Sequence, residues 1–171
     1  MAHKTYDTFE DVMSLLRFKA AGIEMCIALR NVTKVLPIME LQMIPDAPGY
    51  FKGLMNLHGC CIPIIDFAER LGITGKAALY TIETPIILCE VMNRKVGLIV
   101  DEISGVTMVN KSKLQLHSEF QEGMHHFLAV VNEGNRPALL VNTESIIKTG
   151  FLAENTEFSL DIASLNRYLR K

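Results

Sequence analysis

The 171-residue chain has no tryptophan, no long apolar run and almost no net charge. Seventeen Lys and Arg residues against nineteen Asp and Glu residues give a formal net charge of −2. Nucleic-acid binding depends on clustered Lys and Arg that neutralise phosphates, so this balance argues against nucleic acid as the main ligand. Apolar residues make up 49% of the chain, which excludes a disordered protein and leaves apolar surface to spare for protein partners.

The sequence also lacks the marks of a membrane or secreted protein. Its best apolar stretches, 60–65 and 86–91, are much shorter than the roughly 20 residues that span a bilayer. Asp7, Glu10 and Asp11 lie where a signal peptide would need a basic flank and an apolar stretch. We therefore expect no direct membrane insertion and a cytoplasmic location.

Motifs for chemistry are equally scarce. The sequence contains no G-x-S-x-G, P-loop, dinucleotide fingerprint or H-E-x-x-H motif, so we predict no enzyme and no cofactor. The four cysteines, at 26, 60, 61 and 89, have no CxxC spacing and are typical of small buried side chains. His58, Cys60 and Cys61 leave a metal or thiol site as an alternative. Adjacent strand residues point to opposite faces, however, which argues against a shared metal and leads us to predict none.

Short apolar runs separated by turn residues predict a mainly β protein. Four hairpins are expected, from runs 14–19 and 23–29, 50–57 and 60–65, 86–91 and 96–100, and 127–131 and 138–141. A short strand is expected at 106–109, a turn or helix at 31–35 and a polar loop at 110–123.

Two short helices are predicted where strands end. Asp66 would cap the first, which would end at Gly72, and Asn142-Thr143 would open the second. This repeated strand-to-helix pattern indicates two related lobes. Phe158, Ile162, Leu165 and Leu169 predict an amphipathic C-terminal helix, which either covers an edge of the core or docks on another chain.

Several motifs in a fixed order resemble one known family. Residues 44–59 read IPDAPGYFKGLMNLHG, and residues 62–66 continue with IPIID. Residues 95–101 read KVGLIVD, and ISGV follows at 103–106. These segments resemble the signature of the CheW-like chemotaxis adaptor domains. The likeness covers roughly residues 13–150.

The resemblance implies a fold of two five-stranded β-barrel subdomains that share an apolar core, with short helices. It implies an extension at 1–12, the adaptor domain at 13–150, a helical tail at 151–171 and a stand-alone protein without a receiver domain. The implied function is non-catalytic coupling of the cytoplasmic tip of a methyl-accepting chemoreceptor to the regulatory domain of a CheA-type histidine kinase. A related adaptor of a non-flagellar pathway, such as twitching, stays open as an alternative.

The resemblance also marks individual residues. Candidates for partner binding are Val32, Val35, Gly53, Asn56 and His58, and candidates for structural roles are Gly59, Pro63, Asp66, Gly97 and Asp101. Val32 and Val35 could equally be core residues. His58 stands where the family usually has arginine, which would offer a permanent charge and more hydrogen-bond donors.

Overall fold

Eleven strands make up most of the described part of the chain. The structure is a computed structural model, and it describes residues 11–73, 79–116, 126–133 and 135–149. The strands are β1 (Val12–Ala20), β2 (Ile23–Ala28), β3 (Val32–Pro37), β4 (Phe51–Leu57), β5 (Cys60–Asp66), β6 (Pro85–Val91), β7 (Arg94–Ile99), β8 (Glu102–Asn110), β9 (Leu114–Gln115), β10 (Phe127–Val131) and β11 (Ala138–Val141). The helices are α1 (Phe67–Arg70) and α2 (Thr143–Thr149), and 3₁₀ turns occupy Leu29–Asn31 and Lys111–Lys113.

The strands form two sheets that exchange chain segments. One sheet has the order β8-β1-β2-β11-β10-β9 and the other has the order β3-β6-β7-β5-β4. The four predicted hairpins are confirmed, and two parallel pairs, β2 with β11 and β5 with β7, complete the sheets. The predicted all-β, two-lobed fold is therefore confirmed. The first sheet has six strands where five were expected, because the two-residue β9 pairs with β10.

Apolar side chains on both faces of each sheet create three layers of core. In β1, Leu16 and Phe18 point into a core shared by the two sheets, whereas Leu15 points into the separate core of the six-stranded sheet. In β6, Ile87 belongs to the shared core and Ile86 to the separate core of the five-stranded sheet. Because successive strand residues face opposite ways, a continuous apolar run supplies two cores at once. The predicted common core is confirmed.

Both helices begin in the same way, as the repeated pattern predicted. The carboxylate of Asp66 accepts a hydrogen bond from the Glu69 backbone N–H at 3.0 Å. The side-chain oxygen of Asn142 accepts one from the Ser145 backbone N–H at 3.1 Å. Each cap follows a strand that lies in a parallel pair, β5 or β11. The chain thus uses one supersecondary unit twice, once in each sheet.

One local prediction was wrong, and one predicted strand was too short. The expected turn or helix at 31–35 is β3, because its residues pair with β6 after a shorter 3₁₀ turn. The expected short strand at 106–109 is the nine-residue β8, which pairs with β1 from Val12 to Lys19. The polar start of β8 hid it from sequence analysis, since an edge strand exposes alternate side chains to water. The predicted C-terminal helix lies outside the described residues.

Gly97 is buried at the centre of β7, and we expect any side chain at this position to destabilise the fold. A Cβ atom there would lie 2.3 Å from Ile64 Cδ1 and 2.9 Å from Ile86 Cγ2. Gly97→Ala should therefore lower the free energy of unfolding by about 1–3 kcal/mol, as overpacked cores do. Chemical denaturation measures this change.

Gly49 provides the matched control for this substitution. A Cβ atom at Gly49 would approach nothing closer than 3.9 Å, so Gly49→Ala should change stability by less than about 0.5 kcal/mol. Equal effects of the two substitutions would contradict the packing argument.

Candidate partner-binding surface

Val32 and Val35 lie on β3, an edge strand of the five-stranded sheet. They pair with Cys89 and Ile87 of β6, whose side chains are both in the shared core. Val32 is half-buried and packs against that core, whereas the Val35 side chain is 41% exposed. Of the two alternatives left open by the sequence, core or surface, Val32 fits the first, because it packs at the edge of the core. Val35 fits the second, because its side chain is exposed.

A second apolar edge lies on β8, and sequence analysis missed it. Val106 is 59% exposed and Met108 is 66% exposed. Val106 pairs with Leu16, which is buried in the shared core, and so extends the shared-core face of the six-stranded sheet into solvent. The signal in the sequence was the pair Val106 and Met108, which alternates with the less exposed Thr107 and Val109.

Asn56, His58 and Gly59 come together in the tight turn between β4 and β5. The Asn56 Oδ1 atom accepts a hydrogen bond from the Gly59 backbone N–H at 3.0 Å. The turn needs positive φ at both central residues, +52° at His58 and +79° at Gly59. The ring of His58 is exposed. Asn56 therefore shapes the turn, and His58 is displayed at its tip.

Gly53 is buried under a neighbouring segment rather than displayed. A Cβ atom at Gly53 would lie 2.7 Å from the Gln42 carbonyl oxygen. Gln42 in turn exchanges two backbone hydrogen bonds with Leu54, at 2.8 and 2.9 Å. Gly53 thus lets residues near Gln42 pair with the outer edge of β4, and any effect of Gly53 on binding would be indirect.

The structure divides the predicted partner-binding residues into two groups. Val32 and Val35 lie on β3, and Asn56 and His58 lie on or beside β4. These strands are the opposite edges of one sheet, with β6, β7 and β5 between them. The candidates thus lie on two different strands, an apolar pair on β3 and a polar pair on or beside β4.

Two of the predicted structural residues, Pro63 and Asp101, lie within or between the sheets. Pro63 is buried in β5 opposite Leu54. Asp101 joins the two sheets: its backbone N–H donates to the Lys19 carbonyl at 2.9 Å, and its carboxylate accepts from the Gly22 backbone N–H at 3.4 Å.

Asp66 has a second partner that sequence analysis did not find. The Tyr80 hydroxyl donates a hydrogen bond of 2.5 Å to Asp66 Oδ2. Burial, together with this bond and the nearby carboxylates, raises the pKa of Tyr80 above its usual range. The two residues are 14 positions apart in the sequence, and no local sequence pattern predicts their contact.

The placement of Cys60 and Cys61 does not favour the alternative thiol or metal site. Cys61 lies in the shared core, whereas Cys60 packs against the other core of the five-stranded sheet. Burial raises the pKa of Cys61, and the neighbouring Cys60 raises it further. Within residues 11–73, 79–116, 126–133 and 135–149, no three His, Cys, Asp or Glu side chains are grouped to hold a metal ion.

In the same described ranges, no helix is long and apolar enough to cross a bilayer.

Comparison with known proteins identifies the family. Residues 14–150 match the CheW-like domain. The chain belongs to the CheW-like domain family. It is a non-catalytic chemotaxis adaptor, which in general terms couples chemoreceptors to CheA. The thiol or metal alternative is not favoured.

Relatives and a solved structure agree with this assignment. The chain is 32% identical over 136 residues to the chemotaxis protein CheW of Rhizobium meliloti, covering 77% of this chain and 85% of that one. It is 31% identical over 115 residues to the probable chemotaxis protein CheW of Rhizobium etli, covering 67% of this chain and 73% of that one. Its fold is similar to that of the scaffolding protein TtCheW from Thermoanaerobacter tengcongensis, with a TM-score of 0.70 and 21% identity. The similar region covers 76% of this chain and 88% of that one.

The buried thiols should be inert in the folded protein. Burial raises the pKa of Cys26 and of Cys89 from 9.0 to about 12, and only the thiolate reacts. We expect one fast-reacting thiol near neutral pH, the half-buried Cys60, and its loss in Cys60→Ser. Titration with a chromogenic disulfide reagent measures both, and fast reaction of several thiols would contradict the assignment.

The same two thiols make stability depend on alkaline pH. Their protonated forms persist in the folded state after the unfolded chain has begun to ionise. Their contribution to the free energy of unfolding is therefore complete below pH 9 and is lost as the pH rises toward about 12. Denaturation of a Cys26→Ala/Cys89→Ala variant, compared with the parent across this range, isolates the contribution.

Proposed function

We propose that this chain joins the regulatory domain of a CheA-type histidine kinase to the cytoplasmic tip of a methyl-accepting chemoreceptor, in the cytoplasm. One partner would bind the apolar edges that carry Val35, Val106 and Met108. The other would bind the polar turn that carries Asn56 and His58. The exposed aliphatic side chains on faces that continue the shared core are the main support for the proposal.

The apolar edges have the character of a binding surface. Val106 and Met108 are more than half exposed on β8, where alternation would ordinarily place polar residues. Burying one such side chain against a partner contributes about 1.5–3 kcal/mol. A few of these contacts suffice for specific but reversible binding.

Separation of the surfaces lets two proteins bind together. An adaptor that holds two partners at once gains affinity from the linkage, provided that the sites do not overlap. Three strands, β6, β7 and β5, lie between the edge strands β3 and β4 in the sheet order. The near-neutral net charge of −2 further indicates that shape and apolar contact matter more than long-range attraction.

Paired substitutions test this division of labour. Val35→Lys should weaken binding to one partner about tenfold and leave the other unchanged, because it places a charge in an apolar contact. His58→Asp should weaken binding to the second partner alone, since aspartate tolerates the same backbone conformation but cannot donate a hydrogen bond. Calorimetry with each purified partner domain measures all four affinities.

Ile82→Lys is the control for the charge change. Ile82 is 86% exposed in the loop before β6 and lies on neither edge strand, so its substitution should alter neither affinity. Equal loss with Val35→Lys and Ile82→Lys, or loss of the same partner with Val35→Lys and His58→Asp, would contradict the assignment. Val35 serves this test better than Val32, because Val32 packs against the core.

A further inference from the structure

Each sheet has two edge strands, and β8 differs from the other three. Strand β9 has only two residues, and the outer edge of β4 is hydrogen-bonded to Gln42. Strand β3 carries Lys34 and ends at Pro37, and both residue types discourage a further strand from pairing. Strand β8 has nine residues, with neither Lys nor Pro among them. It is therefore the longest edge left open to pairing in the described ranges.

The backbone of β8 directs alternate hydrogen-bonding groups away from the sheet. Just beyond the strand, the Lys111 N–H donates to the Asp11 carbonyl at 2.7 Å and so continues the pairing with β1. Hydrogen-bonded pairs alternate with non-bonded pairs along an antiparallel ladder. The residues whose backbone groups face β1 are therefore Gly105, Thr107 and Val109. Those whose groups face away from β1, which we call the outward residues, are Val106, Met108 and Asn110.

Two of the outward residues also expose apolar side chains. The side chain of Val106 is 59% exposed and that of Met108 is 66% exposed. Thr107, between them, points to the other face of the strand, where its hydroxyl donates to Glu133 Oε2 at 3.2 Å. One face of β8 thus contacts the chain's own loop, and the other presents apolar side chains to solvent.

The charges at the two ends of β8 are opposite in sign. Asp101 and Glu102 lie at its start, Lys111 and Lys113 follow its end, and all four residues are exposed. When two identical strands pair antiparallel about a two-fold axis, the start of each lies beside the end of the other. Carboxylates then lie near lysines at both ends, whereas parallel pairing would bring like charges together. The strand is therefore complementary to a second copy of itself.

Apolar pairing selects one register. With Val106 of one copy opposite Met108 of the second copy, both exposed side chains gain an apolar neighbour, and both pairs join outward residues that can exchange hydrogen bonds. A shift by one residue would set outward groups against groups that already bond β1. In the selected register Glu102 lies near Ser112 of the second copy, between the two lysines.

We propose that two copies of this chain pair antiparallel through their β8 edges, in this register. A single strand edge covers less surface than the roughly 1,200 Å² of the smaller specific interfaces, so the dimer should be weak, with a Kd on the order of 0.1 mM. Pairing would cover Val106 and Met108 and so exclude a partner that binds there. The pairing itself needs no partner, whereas the exclusion rests on the proposed function.

Amide hydrogen exchange of the full chain, followed by NMR, tests the pairing residue by residue. At ten times the dimer Kd about one-fifth of the chains are monomeric, so the amides of the outward residues should exchange about fivefold more slowly than in dilute protein. The amides of Gly105, Thr107 and Val109 already bond β1 and serve as the internal control. They should be protected equally at both concentrations.

Substitutions on β8 test the apolar and the charged contacts separately by sedimentation equilibrium. Met108→Lys should weaken dimerisation at least about tenfold, because it places a charge opposite Val106. Leu128→Lys is the matched control, since Leu128 is 46% exposed on β10, which is not an edge strand, and dimerisation should not change.

Charge reversal tests the antiparallel direction. Glu102→Lys should weaken dimerisation about fivefold, since it brings like charges together at both ends of the paired strands. Adding Lys111→Glu should restore it. This rescue also separates a lost contact from a damaged fold.

Four outcomes overturn the proposed pairing. A chain that stays monomeric up to about 1 mM does not pair in this way. Equal weakening by Met108→Lys and Leu128→Lys, or no rescue of Glu102→Lys, would remove the contacts on which the pairing depends. Protection that rises with concentration on β3, and not on the outward residues, would assign dimerisation to the other sheet.

The exclusion is measured by calorimetry with the purified kinase regulatory domain and the receptor tip. For the partner that uses the β8 edge, the apparent affinity should be about fivefold weaker at ten times the dimer Kd than in dilute protein, because only the monomer can bind. Equal affinities for both partners at the two concentrations would overturn the exclusion and leave the pairing intact. If neither partner binds even the dilute protein, the proposed function fails, while hydrogen exchange still decides the pairing.

Discussion

The shared core between the two sheets is the constraint on which the rest of the structure depends. Strands β1, β2, β5, β6 and β7 all place apolar side chains on the face toward the shared core, so neither sheet can leave its inner face in water. Burying these faces against each other fixes the two sheets as one body. Gly97 shows how closely the layers fit, because a single added methyl group would meet Ile64 and Ile86. Rigidity of this kind suits a protein that holds partners in fixed relative positions.

Exposed apolar surface arises where this core ends at the sheet edges. On β3 and β8 the side chains that continue the shared-core face are no longer covered by the opposite sheet, and Val35, Val106 and Met108 are exposed there. The turn with Asn56 and His58 lies at the other edge of the five-stranded sheet and presents polar groups. One packing principle thus accounts for the two packed sheets and for both kinds of exposed edge.

Local patterns predicted the hairpins and both helix caps, because each depends on residues close in sequence, and the repeated strand-to-helix pattern indicated two related lobes. Asp66 and Asn142 were recognisable as caps for this reason. Strand β8 was underestimated, since its pairing with β1 is set about ninety residues away and its outer face carries Glu102 and Ser104. The bond from Tyr80 to Asp66 and the burial of Gly53 under Gln42 are also tertiary facts. The resemblance named candidate residues but not their separation into two groups, which depends on strand order.

The central claim is that one rigid body holds two partners at once on separate surfaces. Sedimentation velocity of this protein mixed with both the kinase regulatory domain and the receptor tip tests it most directly. The account predicts a ternary complex containing one copy of each protein. In a control mixture without the adaptor, the two partners should sediment separately. Two binary complexes that replace each other as either partner is added in excess would contradict the claim, because they would place both partners on one surface.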